Sequence, residues 1–436
     1  MELEIMVGIV GLILMLILIF AGLPLPVMFF VIGFFGAVLL RGWEAALSMA
    51  TRAPWVKIVD FNFSVIPLFV MLSIVLFECG VGENMFRAMQ RWLGHFSGGM
   101  AAATSAACAF LGTITGAAPA ATALMAKVAY PEMRKFNYEP ALSLAVCCAS
   151  STVAMMIPPS TALVIYAIIT EQSIAQCLLA GFIPGFLSMG IYMVMILIRA
   201  RFNPALGPAA PAAVWRDRFT ELRYIMPGII MMLTIIGGLY FGIFTATEAA
   251  GAAALIAFII VLAMRRLTSA RLKASIYETV RLSILILLIL VTIRGFFLTF
   301  LHITWLTITI AELALKMPSP WLVLAMMFLI CFLLGMFTGG PMALVILPLF
   351  TPVVEQMGFS AVWFIITVVK MMEVGWITPP VAPGIFIAQG IIREVPMEKA
   401  FRAVWWFVLC DIFTLGLFIA FPEIITFLPD TMMAAS

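Results

Sequence analysis

Lys370 and Glu373 are ionisable residues in the otherwise apolar run Phe359–Ile392. At membrane depth an ionisable side chain costs roughly 2.5–3.5 kcal/mol on insertion scales, so its presence points to function unless something neutralises it. Two readings follow. Three residues apart on a helix, the pair shares a face and can neutralise itself, or the lysine stem can snorkel its ammonium to water. Alternatively Lys370, with Lys127 of an earlier segment, stands in for a bound cation. It then serves as a fixed counter-charge or a titrating proton carrier, with Glu373 beside it.

A second set of groups is neutral. The chain breaks two apolar runs with Pro-Pro pairs, IPPS at Ile157–Ser160 and TPP at Thr378–Pro380. A half-helix starting just after Pro159 or Pro380 offers unpaired N–H groups and a positive dipole end, which suits an oxyanion. Ser160, Thr161 and Thr378 add hydroxyls, making these residues the candidate substrate site together with Lys370. A sodium ion needs carbonyl and hydroxyl oxygens. Thr113, Thr115, Gly116, Ser150, Ser151, Thr338 and Gly339 supply them near the breaks and the Gly/Pro-rich turns. None is specific alone, since Ser and Thr also serve helix packing. Their concentration is the signal.

These groups sit in a stretch that occurs twice, Gly112–Gly181 and Gly335–Arg402. Pro131 to Pro158 spans 27 residues, as does Pro352 to Pro379. Asn137-Tyr138 falls opposite Gly358-Phe359 at the same offset, which marks an internal repeat. In lipid, non-helical backbone survives only where it is buried or lines a cavity. Broken helices at matching places in two halves of a membrane protein point to a transporter's binding site.

The rest of the chain must position them. Of 436 residues, 64% are hydrophobic and 10% charged, with mean hydropathy +1.19, a composition that implies a polytopic helical membrane protein. The net charge of +3 is spread over loops and gives no reason to invoke nucleic acid. Seven cysteines lie mostly in apolar segments without metal-ligand spacing, and the only histidines are His95 and His302, so no metal beyond a possible sodium ion and no cofactor are expected. The N-terminus lacks a basic leader and reads as the first span.

The expected architecture is all-α, with two inverted-topology repeats. Each has a re-entrant helical hairpin and a Pro-broken transmembrane helix, divided into an elevator-type scaffold and a transport domain. Residues 1–96 form the first scaffold spans and arm. Residues 97–199 form the first transport part, with arms Ser97–Gly112 and Ala120–Met133, the broken span Pro140–Thr170 and the span Ala175–Ile198. Residues 200–223 are a basic cytoplasmic linker, and 224–317 the second scaffold spans and arm. Residues 318–436 hold the second hairpin (Trp321–Gly335 and Met342–Val354), the broken span Phe359–Ile392 and a closing span, Ala400–Phe421. Placing the arginines of Arg199–Arg223 and Arg265–Lys273 inside puts both termini outside. Glu248 reads as a helix-start carboxylate after Thr245–Thr247. Arg294, within a span, faces a cavity or pairs with Glu78.

Four ordered motifs resemble one family across essentially the whole chain: YPEMRKFNYEPALSLA, MMIPPSTALVIYAIITEQSIAQCLLAGFIPG, GIFTATEAAGAAA and EVGWITPPVAPGIFIAQGI. They look like the large membrane subunit of tripartite ATP-independent periplasmic (TRAP) transporters, of the ion transporter superfamily. The resemblance implies an ion-coupled subunit of the bacterial inner membrane. Its partners would be a small four-helix membrane subunit and a soluble periplasmic substrate-binding protein. It would import a small organic anion, a carboxylate or sulfonate, by an elevator motion, usually with sodium. The sequence departs from the family's pattern at Gly116-Ala117-Ala118, Thr338-Gly339-Gly340, Ser150–Ala154, Lys127 and Lys370-Met371. These departures cluster at the expected sites and leave sodium and proton coupling both open. A stand-alone organic-anion symporter or antiporter of the same superfamily is the alternative. An enzyme is not expected: there is no nucleophile–base motif, HExxH or Walker A loop.

Overall fold

The computed structural model describes residues 2–338 and 340–435, without the side chains of Lys57, Thr115, Thr338, Pro341 and residues 433–435. The described residues contain helices and connecting turns and no strand. Seven of these helices are long and apolar enough to cross a membrane, and a bent pair, Trp215–Leu222 with Met226–Tyr240, makes a possible eighth. The protein is a multi-pass integral membrane protein.

In chain order, α1 (Glu2–Phe20) and α2 (Leu25–Arg41) are followed by α3 (Trp43–Ile58), α4 (Val65–Glu78) and α5 (Val81–Leu93). Helices α6 (Gly99–Thr115) and α7 (Ala118–Lys135) pack against each other across a turn at Gly116-Ala117. Their 17 and 18 residues exceed the expected arms. At 1.5 Å per residue they reach about 26 Å, still short of a roughly 30 Å hydrocarbon core. Helix α8 (Pro140–Thr152) ends in a 3₁₀ turn, Val153–Met155, and α9 (Thr161–Ile169) resumes after the Pro-Pro pair.

Helix α10 (Ile174–Phe202) runs past the expected span end at Ile198 and carries Arg201, which the sequence reading placed in the linker. The connection that follows folds into α11 (Trp215–Leu222), tied to α5 by Trp92 Nε1, which donates to the Arg218 carbonyl at 3.1 Å. Next, α12 (Met226–Met232) and α13 (Gly238–Tyr240) flank a π-helical turn, and α14 (Ala246–Ala263) precedes α15 (Ser269–Thr292). A second π turn, Ile293–Phe297, leads to α16 (Leu298–Ile303) and α17 (Leu306–Leu315).

The second hairpin-and-break stretch comprises α18 (Pro320–Thr338), α19 (Ala343–Gln356), α20 (Ala361–Ile377) and α21 (Pro383–Ile392). Helix α22 (Met397–Ala420) is followed by α23 (Glu423–Ala435), which packs back on α10. Both Pro-Pro bonds, Pro158–Pro159 and Pro379–Pro380, are cis, and Asn137 and Gly358 both have positive φ, so the two stretches share their punctuation.

The outer helices keep apolar side chains exposed. Leu3, Ile13, Ile17, Leu255, Leu262 and Ile284 are among them, as expected of a surface facing lipid. The core gathers around α8, α10 and α20, whose residues are almost all buried in the first and last. Thr245 and Glu248 form a capping box at the start of α14: Glu248 N–H donates to Thr245 Oγ1 at 3.3 Å, and Thr245 N–H donates to Glu248 Oε2 at 2.9 Å.

Candidate functional site

The first break is built by α8 and α9. With no N–H on either proline the helix cannot continue, so the chain swings out and restarts at Thr161. Ser160 caps the new helix, its Oγ accepting from Leu163 N–H at 3.3 Å while its hydroxyl donates to the Met155 carbonyl. Ser160 and Pro159 are buried and Thr161 is half-buried. The first hairpin turn lies directly on this break. A Cβ built on Gly116 would stand 2.9 Å from the Pro159 carbonyl oxygen, 3.0 Å from the Thr161 nitrogen and 3.2 Å from Thr161 Oγ1.

The second break differs. Helix α20 ends at Ile377, capped by Thr378, whose hydroxyl donates to the Val374 carbonyl at 2.6 Å. Helix α21 starts only at Pro383, two residues later than expected, after Ala382 in the left-handed region (φ 43°). Pro380 is exposed. The second hairpin turn leans on the first half, with Tyr166 of α9 donating to the Gly340 carbonyl at 3.0 Å. Gly339 lies outside the described residues, as do the side chains of Thr115 and Thr338.

Ser150 and Ser151 sit one turn before the break. The Ser150 hydroxyl bonds Ser105 of α6. Ser151 bonds Thr122 of α7 and donates to the Cys148 carbonyl at 2.6 Å. These hydroxyls fasten α8 to both hairpin arms. Thr113 likewise donates to the Phe110 carbonyl, at 2.6 Å.

The charged residues separate. Lys127 is exposed and lines a surface cavity of about 820 Å³ with Glu83, Arg87, Arg91, Glu132 and Lys135. Lys370 is wholly buried. Lys370 Nζ contacts Glu373 Oε2 at 3.0 Å, the pairing expected from their spacing. It also contacts Asp411 Oδ1 of α22 at 2.6 Å, a partner the sequence reading missed. The signal was present: Asp411 is an acidic residue within the apolar run Ala400–Phe421. Tyr192 of α10 donates to the same Asp411 oxygen at 2.6 Å and sets its ring 5.6 Å from the ammonium. Glu373 and Asp411 are also 0% exposed, and Glu373 Oε1 and Asp411 Oδ2 have no hydrogen-bond partner among the described residues. Three helices, α10, α20 and α22, thus close on one ammonium, two carboxylates and a phenol.

Arg294 meets one of its two expectations: it faces a cavity and does not pair with Glu78. Its guanidinium pairs with Asp60 at 3.0 Å and Glu171 at 3.0 Å rather than with Glu78. The π turn carries it towards the connection before α4 and the turn between α9 and α10, beside a cavity of about 620 Å³. A second surface tie joins Arg134 and Tyr130 of α7 to Glu394, beyond α21; Tyr130's hydrogen bond, then Arg134's charge, hold that carboxyl below its usual range.

The sequence model of the tripartite ATP-independent periplasmic transporter family, DctM component, matches residues 10–424. The chain belongs to that family. The C4-dicarboxylate TRAP transporter large permease protein DctM of Pseudomonas aeruginosa is 28% identical over 388 residues, 86% of each chain. The ectoine/5-hydroxyectoine large permease UehC of Ruegeria pomeroyi is 27% identical over 425 residues, covering 95% of this chain and 97% of its own. The sialic acid permease SiaT of Haemophilus influenzae is 26% identical over 428 residues, 97% of this chain and 68% of its own. Among solved structures, the YdaH transporter of Alcanivorax borkumensis shares the fold, with TM-score 0.59 at 13% identity over 86% of this chain and 89% of that one. The protein is therefore a TRAP-family transporter permease rather than an enzyme, and the hairpin turns, breaks and buried lysine cluster belong to a transporter.

Proposed function

We propose that this permease imports a small organic anion, a carboxylate or sulfonate, driven by a sodium or proton gradient. It works in the bacterial inner membrane with a small four-helix membrane subunit and a soluble periplasmic binding protein, its own termini periplasmic. The observation that carries the reading is the Gly116 turn seated on the Pro159–Thr161 break. That contact places the N-terminus of α9, with the Thr161 hydroxyl, beside an irregular turn, a combination suited to a carboxylate or sulfonate head group. The named substrates of the relatives, C4-dicarboxylates, ectoines, sialic acid and isethionate, support the substrate class.

The same contacts support the elevator. Ser105–Ser150, Thr122–Ser151 and Tyr166–Gly340 tie hairpin arms, broken helices and the second turn together, so residues 97–199 and 318–436 can travel as one body. Residues 1–96 and 224–317 form the scaffold, 200–223 the linker, and the two halves run in inverted topology. Thr115, Gly116, Ser150, Ser151, Thr338 and Gly339 remain the groups through which sodium would be held. Thr378, Pro159 and Pro380 complete the substrate site with Ser160 and Thr161.

Uptake into proteoliposomes holding the permease and its small subunit, with binding protein outside, tests this. Sodium and proton gradients are imposed separately on labelled carboxylates and sulfonates. Accumulation under one gradient, dependent on binding protein, is expected. Accumulation without binding protein would favour a stand-alone symporter, and failure under both gradients would refute the proposal.

A further inference from the structure

The buried cluster on α10, α20 and α22 has an uneven charge count. One ammonium faces two carboxylates, all 0% exposed, and each carboxylate keeps one oxygen without a partner among the described residues. An excess negative charge in such surroundings is expensive, and one proton removes it. The hydrogen bonds decide where that proton sits. Asp411 Oδ1 takes both the ammonium and the Tyr192 phenol at 2.6 Å, two close donors on one oxygen. Among the described residues Glu373 hydrogen-bonds only the lysine, at 3.0 Å through Oε2, and its Oε1 has no partner.

We propose that Glu373, flanked by Lys370, Asp411 and Tyr192, carries one exchangeable proton on Oε1, and that this proton is the ion coupled to transport. The proposal rests on the reading of the chain as an ion-coupled importer and narrows its ion. Loading forms an O–H bond between a proton from water and the Glu373 carboxylate. Unloading breaks that bond and returns the proton to water on the other side. No electrons change hands. Lys370 then occupies the role a metal cation would fill, a permanent positive charge that lets two carboxylates share one interior.

The surroundings add few competing charges. Helix α22 contributes Asp411 and α10 contributes Tyr192; Arg199 of α10, stacked 4.6 Å from the Trp406 ring, bears on neighbouring Cys410. Helices α8 and α18, packed on this group, carry only cysteines among titratable residues, and α21 carries none. On α19 the titratable residue is Glu355, which is exposed and accepts from Gln172. On α23 they are Glu423 and Asp430.

Infrared difference spectroscopy on the full chain in liposomes, without substrate or sodium, reads the proton directly. The expected result is a protonated-carboxyl band that disappears as pH is raised and shifts when glutamate is labelled with carbon-13. It is lost in Glu373→Gln and kept in Glu355→Gln. The isotope label needs no variant, so misfolding of Glu373→Gln leaves the test intact. The proposal is overturned if the band is absent, ignores pH, follows labelled aspartate, survives in Glu373→Gln, or is displaced by sodium at constant pH. Proteoliposome uptake is scored separately. A titrating Glu373 band without anion uptake sinks the import reading alone, and uptake without the band sinks the proton alone.

Discussion

Lys370→Met removes the ammonium that serves both buried carboxylates while keeping a side chain of similar length. Glu373 and Asp411, both 0% exposed, lose a donor at 3.0 Å and 2.6 Å. Removing one partner of a buried ion pair costs about 3–5 kcal/mol, because the other charge stays buried and uncompensated. Here two charges are left, so the loss should fall in the upper part of that range at high pH. Protonation of the carboxylates relieves it, so the penalty should shrink as pH falls. Lys370→Met/Asp411→Asn removes one of the two stranded charges and should recover part of the loss, with a coupling of about 1–3 kcal/mol against the summed single variants. Unfolding midpoints in a detergent titration, run at two pH values, measure both quantities. The reasoning fails if Lys370→Met costs under about 1 kcal/mol at every pH, a value typical of exposed pairs. It also fails if the double variant loses as much as the two single variants together.

Gly116→Ala adds a Cβ 2.9 Å from the Pro159 carbonyl at a residue with φ +55°. The left-handed backbone alone costs roughly 1–2 kcal/mol without glycine, so substrate uptake should fall sharply while the protein still inserts, as measured by uptake per folded permease. Glu171→Gln should change stability by no more than about 1 kcal/mol, since that carboxylate is 69% exposed. Asp60→Asn, at 27% exposed, should cost more in the same unfolding assay. For Glu394 the folded carboxyl is held below its usual value by Tyr130 and then Arg134, so its tie is fully present above the ordinary carboxylate range and is lost as pH falls through the lowered value. Tyr130→Phe should flatten the acid limb of the stability–pH curve, and an unchanged limb would exclude that tie as its source.

The sequence by itself determined much of this protein. Its apolar fraction required a polytopic helical bundle, because only helices and closed barrels satisfy their backbone in lipid. The two Pro-Pro pairs fixed where helices must break, and the Thr245–Glu248 spacing fixed a helix start. Three-residue spacing put Lys370 beside Glu373. These are local consequences of residue type and helix geometry. Only the tertiary structure decided the partners that come from far along the chain. Asp411 and Tyr192 meet Lys370 because α10 and α22 both pack on α20, across separations that no periodicity encodes. Arg294, in a π turn, lines a cavity and meets Asp60 and Glu171 from connections far along the chain, partners that its own sequence neighbourhood does not contain. In sequence, Lys127 and Lys370 are both cations in apolar segments. The packing left one exposed in a surface cavity and buried the other, because burial belongs to the face a helix turns inward.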